Sequence, residues 1–238
     1  MTEIRNYESA EAVAQAAAEN AVELLLLAIE SKERAYWVLA GGTSPMRAYK
    51  KIIKDFYDAV DWSKVTVLIG DERMVPITDK NSNSGTILAL FDKSPELSKV
   101  KRITPDTKLN IVDAAREYSE KIVAEGIKEF DLVWLGVGED GHTLSLFPSN
   151  PAFIEATDEW VIPVYDSPKP PSQRISFSLK ALEYVDELVI FAVGELKQDA
   201  LKEARLKRKL PIAIAADTVE TNGGEVRWLY DEAAWNDD

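Results

Sequence analysis

The 238-residue chain has no cysteine and one histidine, His142. The first absence excludes disulfides, thiolate nucleophiles and Cys-ligated zinc. The second excludes a metal site built on several histidines. A carboxylate site for a hard cation stays open to this composition, but the expectation is of neither metal nor other cofactor. Positive charge is also scarce: Lys and Arg total 28 against 41 Asp and Glu, a net charge of −13. That balance argues against nucleic acid or an anionic membrane surface as partner. An anionic ligand therefore needs a locally positive pocket. Long apolar runs are missing too. The longest, Leu24-Leu25-Leu26-Leu27-Ala28-Ile29, is far too short to cross a bilayer. The acidic, Ala-rich start carries no basic segment leading into an apolar core, so no signal peptide is visible and a cytoplasmic location is expected. Neither repeats nor a boundary divide the chain, which predicts one domain over 1–238.

What remains is the composition of a soluble globular protein, 46% hydrophobic and 29% charged. Ser9 to about Lys32 reads as a long amphipathic helix rich in alanine. Trp37 to Ala40 reads as a short strand closed by Gly41-Gly42, and Pro45 opens a helix through Met46, Tyr49 and Ile52-Ile53. Val65 to Ile69 is a second strand, ending at Gly70-Asp71-Glu72-Arg73, before a polar loop with Asn81-Ser82-Asn83-Ser84-Gly85. Ile111 to Glu129 reads as a helix leading into the strand Phe130 to Leu135. Further strands are expected at Trp160–Val164, Arg174–Ser178, Leu188–Val193, Ile212–Ala215 and Val226–Tyr230, with a basic helix from Leu196 to about Lys209. Apolar strands separated by helices predict an α/β fold: a mostly parallel sheet flanked by helices on both faces, in a single Rossmann-like domain.

Three of these strands end in polar, Gly-containing turns, at Gly41, Gly70 and Gly136. In a parallel sheet such ends share one edge, where ligands bind. Gly41-Gly42-Thr43-Ser44-Pro45 suits a phosphate cradle at a helix N-terminus. Taken alone it also suits a tight strand-to-helix turn capped by Thr43 or Ser44. Asp71-Glu72-Arg73 puts three charges directly after an apolar strand. Arg73 can fork onto a phosphate or carboxylate, and Asp71 can accept from sugar hydroxyls or orient a catalytic group. A salt-bridged rim is the plainer alternative. His142 follows the strand before Gly136-Val137-Gly138-Glu139-Asp140-Gly141. Imidazole is suited to general acid–base work near neutral pH, and either Glu139 or Asp140 is close enough in sequence to hold a ring nitrogen. Arg174 and Lys197, each at a strand end, can add positive charge to an anion site, or stand as surface charges. Lys202, Arg205, Lys207, Arg208 and Lys209 read as a solvated helix face.

Taken together, Gly41-Gly42-Thr43-Ser44-Pro45, Gly70-Asp71-Glu72-Arg73-Met74-Val75-Pro76 with Ser82-Asn83, and Gly138-Glu139-Asp140-Gly141-His142-Thr143-Leu144-Ser145-Leu146-Phe147-Pro148 resemble the signatures of the 6-phosphogluconolactonase family. The likeness continues at Pro168-Lys169-Pro170-Pro171, Arg174-Ile175-Ser176, Gly194-Glu195-Leu196-Lys197, Pro211 and Trp228-Leu229-Tyr230-Asp231-Glu232-Ala233-Ala234. Glucosamine-6-phosphate deaminase/isomerases look alike around Asp-Gly-His. They differ in carrying Asp-Glu-Tyr where this chain has Asp71-Glu72-Arg73, and a ring-opening glutamate where it has Phe147. The resemblance implies hydrolysis of 6-phospho-D-glucono-1,5-lactone in the oxidative pentose phosphate pathway. On this resemblance His142 is the general base, with Asp140 and Asp71 beside it. Gly41, Gly42, Thr43, Arg73, Arg174 and Lys197 are implied to hold the phosphate and the sugar acid. A phosphosugar lactone is the expected partner, and a monomer or weak homodimer the expected assembly.

Overall fold

Strands that are apolar on both faces fold only where both faces are covered. Among the described residues seven strands form one parallel sheet, apolar on both faces at its centre and more polar at its two edge strands: β1 (Thr2–Tyr7), β2 (Ala35–Leu39), β3 (Val65–Ile69), β5 (Lys101–Ile103), β6 (Phe130–Gly136), β9 (Val185–Ala192) and β10 (Glu225–Asp231), in the order β1-β10-β9-β6-β2-β3-β5. A smaller antiparallel sheet has the order β4-β8-β7, from β4 (Asp71–Arg73), β7 (Val161–Val164) and β8 (Arg174–Phe177). The computed structural model describes residues 2–150, 157–207 and 209–235, and the side chains of 205–207 fall outside that description. So do Arg205, Lys207 and Arg208 of the predicted basic face; Lys202 and Lys209 are exposed.

Alternate residues sort to the two faces. On β2, Trp37 and Leu39 face one core and Tyr36 and Val38 the other. The first core is closed by α1 (Ala10–Lys32), α2 (Thr43–Asp55) and α3 (Asn83–Phe91). The second is closed by α4 (Ile111–Ala124), the short α5 (Leu179–Leu182), α6 (Gln198–Lys207) and α7 (Pro211–Thr221). The first holds an aromatic cluster in which Trp37 meets Trp134 edge-on at 4.8 Å and Tyr49 stacks on Trp134 at 5.0 Å.

Four sequence expectations are corrected. Ile212–Ala215 is not a strand but part of α7. Pro211 sits in its first turn, where a missing N–H does no harm, and the alanines favour helix. A four-residue apolar run cannot by itself separate the two states. The helix from Ile111 stops at Ala124 rather than Glu129, because Gly126 adopts φ +73°. The polar stretch at Asn81–Gly85 runs into α3, whose N-cap Ser82 accepts from the Gly85 N–H at 2.9 Å. Finally, α1 as a whole is long and apolar enough, by length and composition, to cross a membrane, the single such helix among the described residues. The run at Leu24–Ile29 understated it because its other apolar residues are scattered alanines and valines. In this fold Val13, Ala17, Ala21 and Leu25 pack it into the core.

Strand β2 continues into β3 and β5 on one side, and β6, β9, β10 and β1 lie on the other. The chain thus reverses its direction of winding between β2 and β6. Loops leaving neighbouring strands in opposite senses open a crevice at that point.

Candidate active site

The crevice is a pocket of about 240 Å³ lined by Gly41, Gly42, Thr43, Asp71, Arg73, Asn83, Gly138, His142, Leu144, Lys169, Arg174 and Lys197, among others. All the residues expected from sequence line it except Asp140, which bonds to His142. Each arrives from a different strand end: the glycines after β2, Asp71 and Arg73 on β4 directly after β3, His142 after β6, and Lys197 in the 3-10 turn Glu195–Lys197 after β9. Arg174 comes from β8.

Two tyrosines fix the strand ends that carry the site. The Tyr49 hydroxyl accepts from the Ala40 N–H and donates to the Ala40 carbonyl, both at 3.0 Å. The Tyr118 hydroxyl accepts from the Ile69 N–H at 2.8 Å and donates to the Ile69 carbonyl at 3.0 Å. Both rings are fully buried. These bonds satisfy backbone groups exactly where the strands stop pairing and the loops begin.

The loop carrying His142 is tight. Gly138 N–H donates to the His142 carbonyl at 2.8 Å, and Gly141 turns at φ +76°. Gly138 must be glycine: a Cβ there would lie 1.9 Å from His142 Nδ1. Leu144 is held at φ +53°, a strained position for a leucine, and lines the pocket. The imidazole is neither sealed nor free, with 17% of its side chain exposed. Asp140, not Glu139, holds Nδ1 through Oδ1. The bond fixes the tautomer with the proton on Nδ1 and leaves Nε2 as the basic nitrogen. Burial dominates its titration and pulls the pKa below the ordinary 6.5; the hydrogen bond and charge of Asp140 oppose this, Lys169 adds to it and Asp71 opposes it. The ring is therefore neutral near pH 7. Burial pushes the Asp140 carboxyl up, but the His142 hydrogen bond and charge outweigh that and leave it below its usual range. Phe147 packs on the imidazole at 4.4 Å between centroids.

The cations converge on the same space. Arg73 and Arg174 are directly opposed in the β4–β8 register. Like charges so placed repel unless an anion lies between them. Arg174 is only 4% exposed. Its guanidinium donates to the carbonyls of Pro171 at 3.1 Å and Lys169 at 2.8 Å, and lies over the Phe147 ring. Burial lowers its pKa, Asp71 opposes this, and Arg73 adds to it. Burial likewise lowers the pKa of Lys197, against the charges of Glu139 and Asp140 and with that of Lys169.

Asp71 makes no hydrogen bond to His142 and acts on it only through its charge. It accepts from the Ser145 hydroxyl at 2.6 Å and from Asn83 Nδ2 at 3.2 Å. Ser145 in turn is 3.5 Å from Arg174 Nη1. Glu72, 1% exposed, accepts from the backbone N–H groups of Arg73, Asn83 and Ser84 and the Ser82 hydroxyl, so it ties β4 to the start of α3. Gly41 lets Asn83 approach: a Cβ there would be 2.1 Å from Asn83 Oδ1. Gly42, at φ +98°, is the N-cap of α2 rather than Thr43 or Ser44, and no side chain caps that end. Lys169, Asn83 and Ser145 were given no role from sequence. All three sat in recognised motifs, but their convergence depends on loop geometry that spacing does not encode. Lys169 Nζ lies 3.7 Å from Asp140 Oδ1. Among the described residues, no group of three or more His, Asp or Glu side chains is placed to hold a metal ion.

Residues 8–228 match the family described as glucosamine-6-phosphate isomerases/6-phosphogluconolactonase. The rat 6-phosphogluconolactonase is 37% identical over 169 residues, covering 69% of this chain but 64% of its own, so the match spans just under two thirds of that relative. The 6-phosphogluconolactonase 3 of Saccharomyces cerevisiae is 35% identical over 219 residues, 87% of this chain and 86% of its own. Among solved structures, the 6-phosphogluconolactonase of Shewanella baltica superposes with a TM-score of 0.86 at 22% identity, over 97% of this chain and 98% of that one. That of Trypanosoma brucei gives 0.84 at 22% identity, over 98% and 97%. The two structures share the fold.

Proposed function

The chain belongs to the glucosamine-6-phosphate isomerase/6-phosphogluconolactonase family, and from that premise we propose that it hydrolyses 6-phospho-D-glucono-1,5-lactone to 6-phosphogluconate with water activated by His142. One observation carries the reading: a neutral imidazole, oriented by Asp140, lines a small pocket with four cationic side chains, Arg73, Lys169, Arg174 and Lys197.

The chemistry asks little of the protein. A lactone is an activated ester, so neither a covalent nucleophile nor a metal is needed. Nε2 of His142 takes a proton from water as the oxygen attacks the ring carbonyl. Asp140 stabilises the imidazolium that forms. The carbonyl oxygen becomes an oxyanion and is met by a fixed cation; Lys169, 3.7 Å from Asp140, stands at this end. The tetrahedral intermediate then collapses, and the ring oxygen leaves with the proton from the imidazolium. The phosphate is held by Arg73, Arg174 and Lys197, with Gly41, Gly42 and Thr43 supplying backbone at the start of α2. Holding it far from the reacting carbon orients the ester for attack. Asp71 acts at one remove, by fixing Ser145 and Asn83.

Phe147 favours lactone hydrolysis over deamination within the family. It lies on the histidine ring and supplies no carboxylate for opening a sugar ring. The reading includes a cytoplasmic enzyme, one catalytic domain over 1–238, acting as a monomer or weak homodimer without cofactor. Proton release from freshly generated lactone, corrected for spontaneous hydrolysis, tests it. Acceleration is expected, with no ammonia from glucosamine 6-phosphate. Ammonia release without lactone turnover would overturn it.

A further inference from the structure

A second cavity opens beside the pocket and shares Gly41, Gly42, Thr43, Arg73 and Asn83 with it, yet is far larger, about 870 Å³ against 240 Å³. Its walls carry Arg47, Lys50, Lys51, Lys54, Arg73 and Lys80, with Glu11 as the one acidic residue. On a chain of net charge −13, such a concentration is the reverse of what composition supplies at random.

The cations are under-compensated. Glu11 serves Lys51 at 2.9 Å and Arg47 at 4.0 Å, and Lys54 lies 3.9 Å from Asp55. Among the described residues, Lys50 and Lys80 have no acidic partner, and the buried Arg73 Nε has no acceptor. Arg47, Lys50, Lys51 and Lys54 follow the i, i+3, i+4, i+7 spacing that puts them on one face of α2. Like charges at that spacing destabilise a helix. The row is about 10 Å long at helical rise. A single phosphate cannot neutralise a row of that length, whereas linked phosphates reach along it. Met46, partly exposed, lines the same cavity and offers apolar surface for a ring.

We propose that this groove is a second anion site, which takes a small molecule with two or more linked phosphates, of the size and charge of a nucleoside triphosphate. Because it shares Arg73 and the Gly42-Thr43 turn with the pocket, its occupant competes with the phosphosugar.

Calorimetric titration with tripolyphosphate and with ATP, beside inorganic phosphate, tests this on the whole protein and on the double variant Lys50→Glu/Lys54→Glu. Both polyphosphates are expected to bind saturably, and about tenfold or more weaker in the variant. Phosphate binding should be the same in both proteins. ATP should raise KM for the lactone without changing kcat, and the variant should keep its kcat and KM when ATP is absent. No saturable binding of either polyphosphate, or equal affinity in the variant, overturns the site. A variant with lowered kcat/KM and no polyphosphate binding in the parent also overturns it, and makes the groove an approach path for the substrate. Binding is read directly, so failure of the lactonase reading leaves this test intact.

Discussion

His142 keeps its proton less readily than a histidine in water because burial outweighs the pull of Asp140. A general base must be unprotonated to act, so kcat/KM is expected to rise through one ionisation below pH 6.5 and to be flat near pH 7. Asp140 raises that pKa. Asp140→Asn should therefore move the acid limb to still lower pH. It should also cut kcat by about tenfold or more, since the tautomer is no longer fixed. A pH–rate profile of the two proteins checks both signs; a limb that moves upward contradicts the assignment. The cations act differently. Arg73→Ala or Lys197→Ala removes a charge-assisted bond worth about 1.5–3 kcal/mol, so KM should rise about 10- to 100-fold with kcat little changed. At this scale His142 was legible from its place after a strand and a glycine turn. Its partner was not, because Glu139 and Asp140 are equivalent in spacing and only the turn at Gly141 selects Asp140. Lys169 was invisible as a site residue, because it reaches the pocket on a Pro-rich loop from a distant part of the chain.

Elements hold these residues through their ends. Tyr118 satisfies both backbone groups of Ile69, two residues before Asp71. Tyr118→Phe leaves them unpaired in the core, at a cost of about 1–3 kcal/mol. A denaturant midpoint measures the loss, and an unchanged midpoint would show the hydroxyl to be idle. Gly138→Ala works the other way. Its Cβ would collide with His142 Nδ1, so kcat should collapse while the unfolding midpoint barely moves. Strand ends with long apolar stretches before them, β2, β3 and β6, could be read directly from the chain. β4 could not: three charged residues carry no strand signal, and it forms because β8 pairs with it. Strand β1 was missed for a related reason. It lies at the sheet edge and is largely exposed, so it lacks an apolar run. The start of α3 read as loop because its polar residues are caps, completed by Glu72 from another element.

The whole molecule is acidic and its crevice is basic. Long-range repulsion and local attraction therefore oppose each other for an anionic substrate, and salt screens exposed charges beyond about 10 Å at 0.1 M. The local contacts set affinity, so KM should rise with ionic strength; a falling KM would mean that repulsion by the surface dominates. The layered architecture, a parallel sheet with helices on both faces, followed from apolar strands alternating with helices. The small antiparallel sheet did not, since its strands serve to carry Asp71, Arg73 and Arg174 over the crevice. The account comes down to an imidazole that activates water against a bound ester. Proton release from freshly made 6-phosphogluconolactone, compared between the parent protein and His142→Ala, tests that most directly. The parent should exceed the spontaneous rate and the variant should lose about 10²-fold or more of kcat, whereas a variant as fast as its parent would contradict the mechanism.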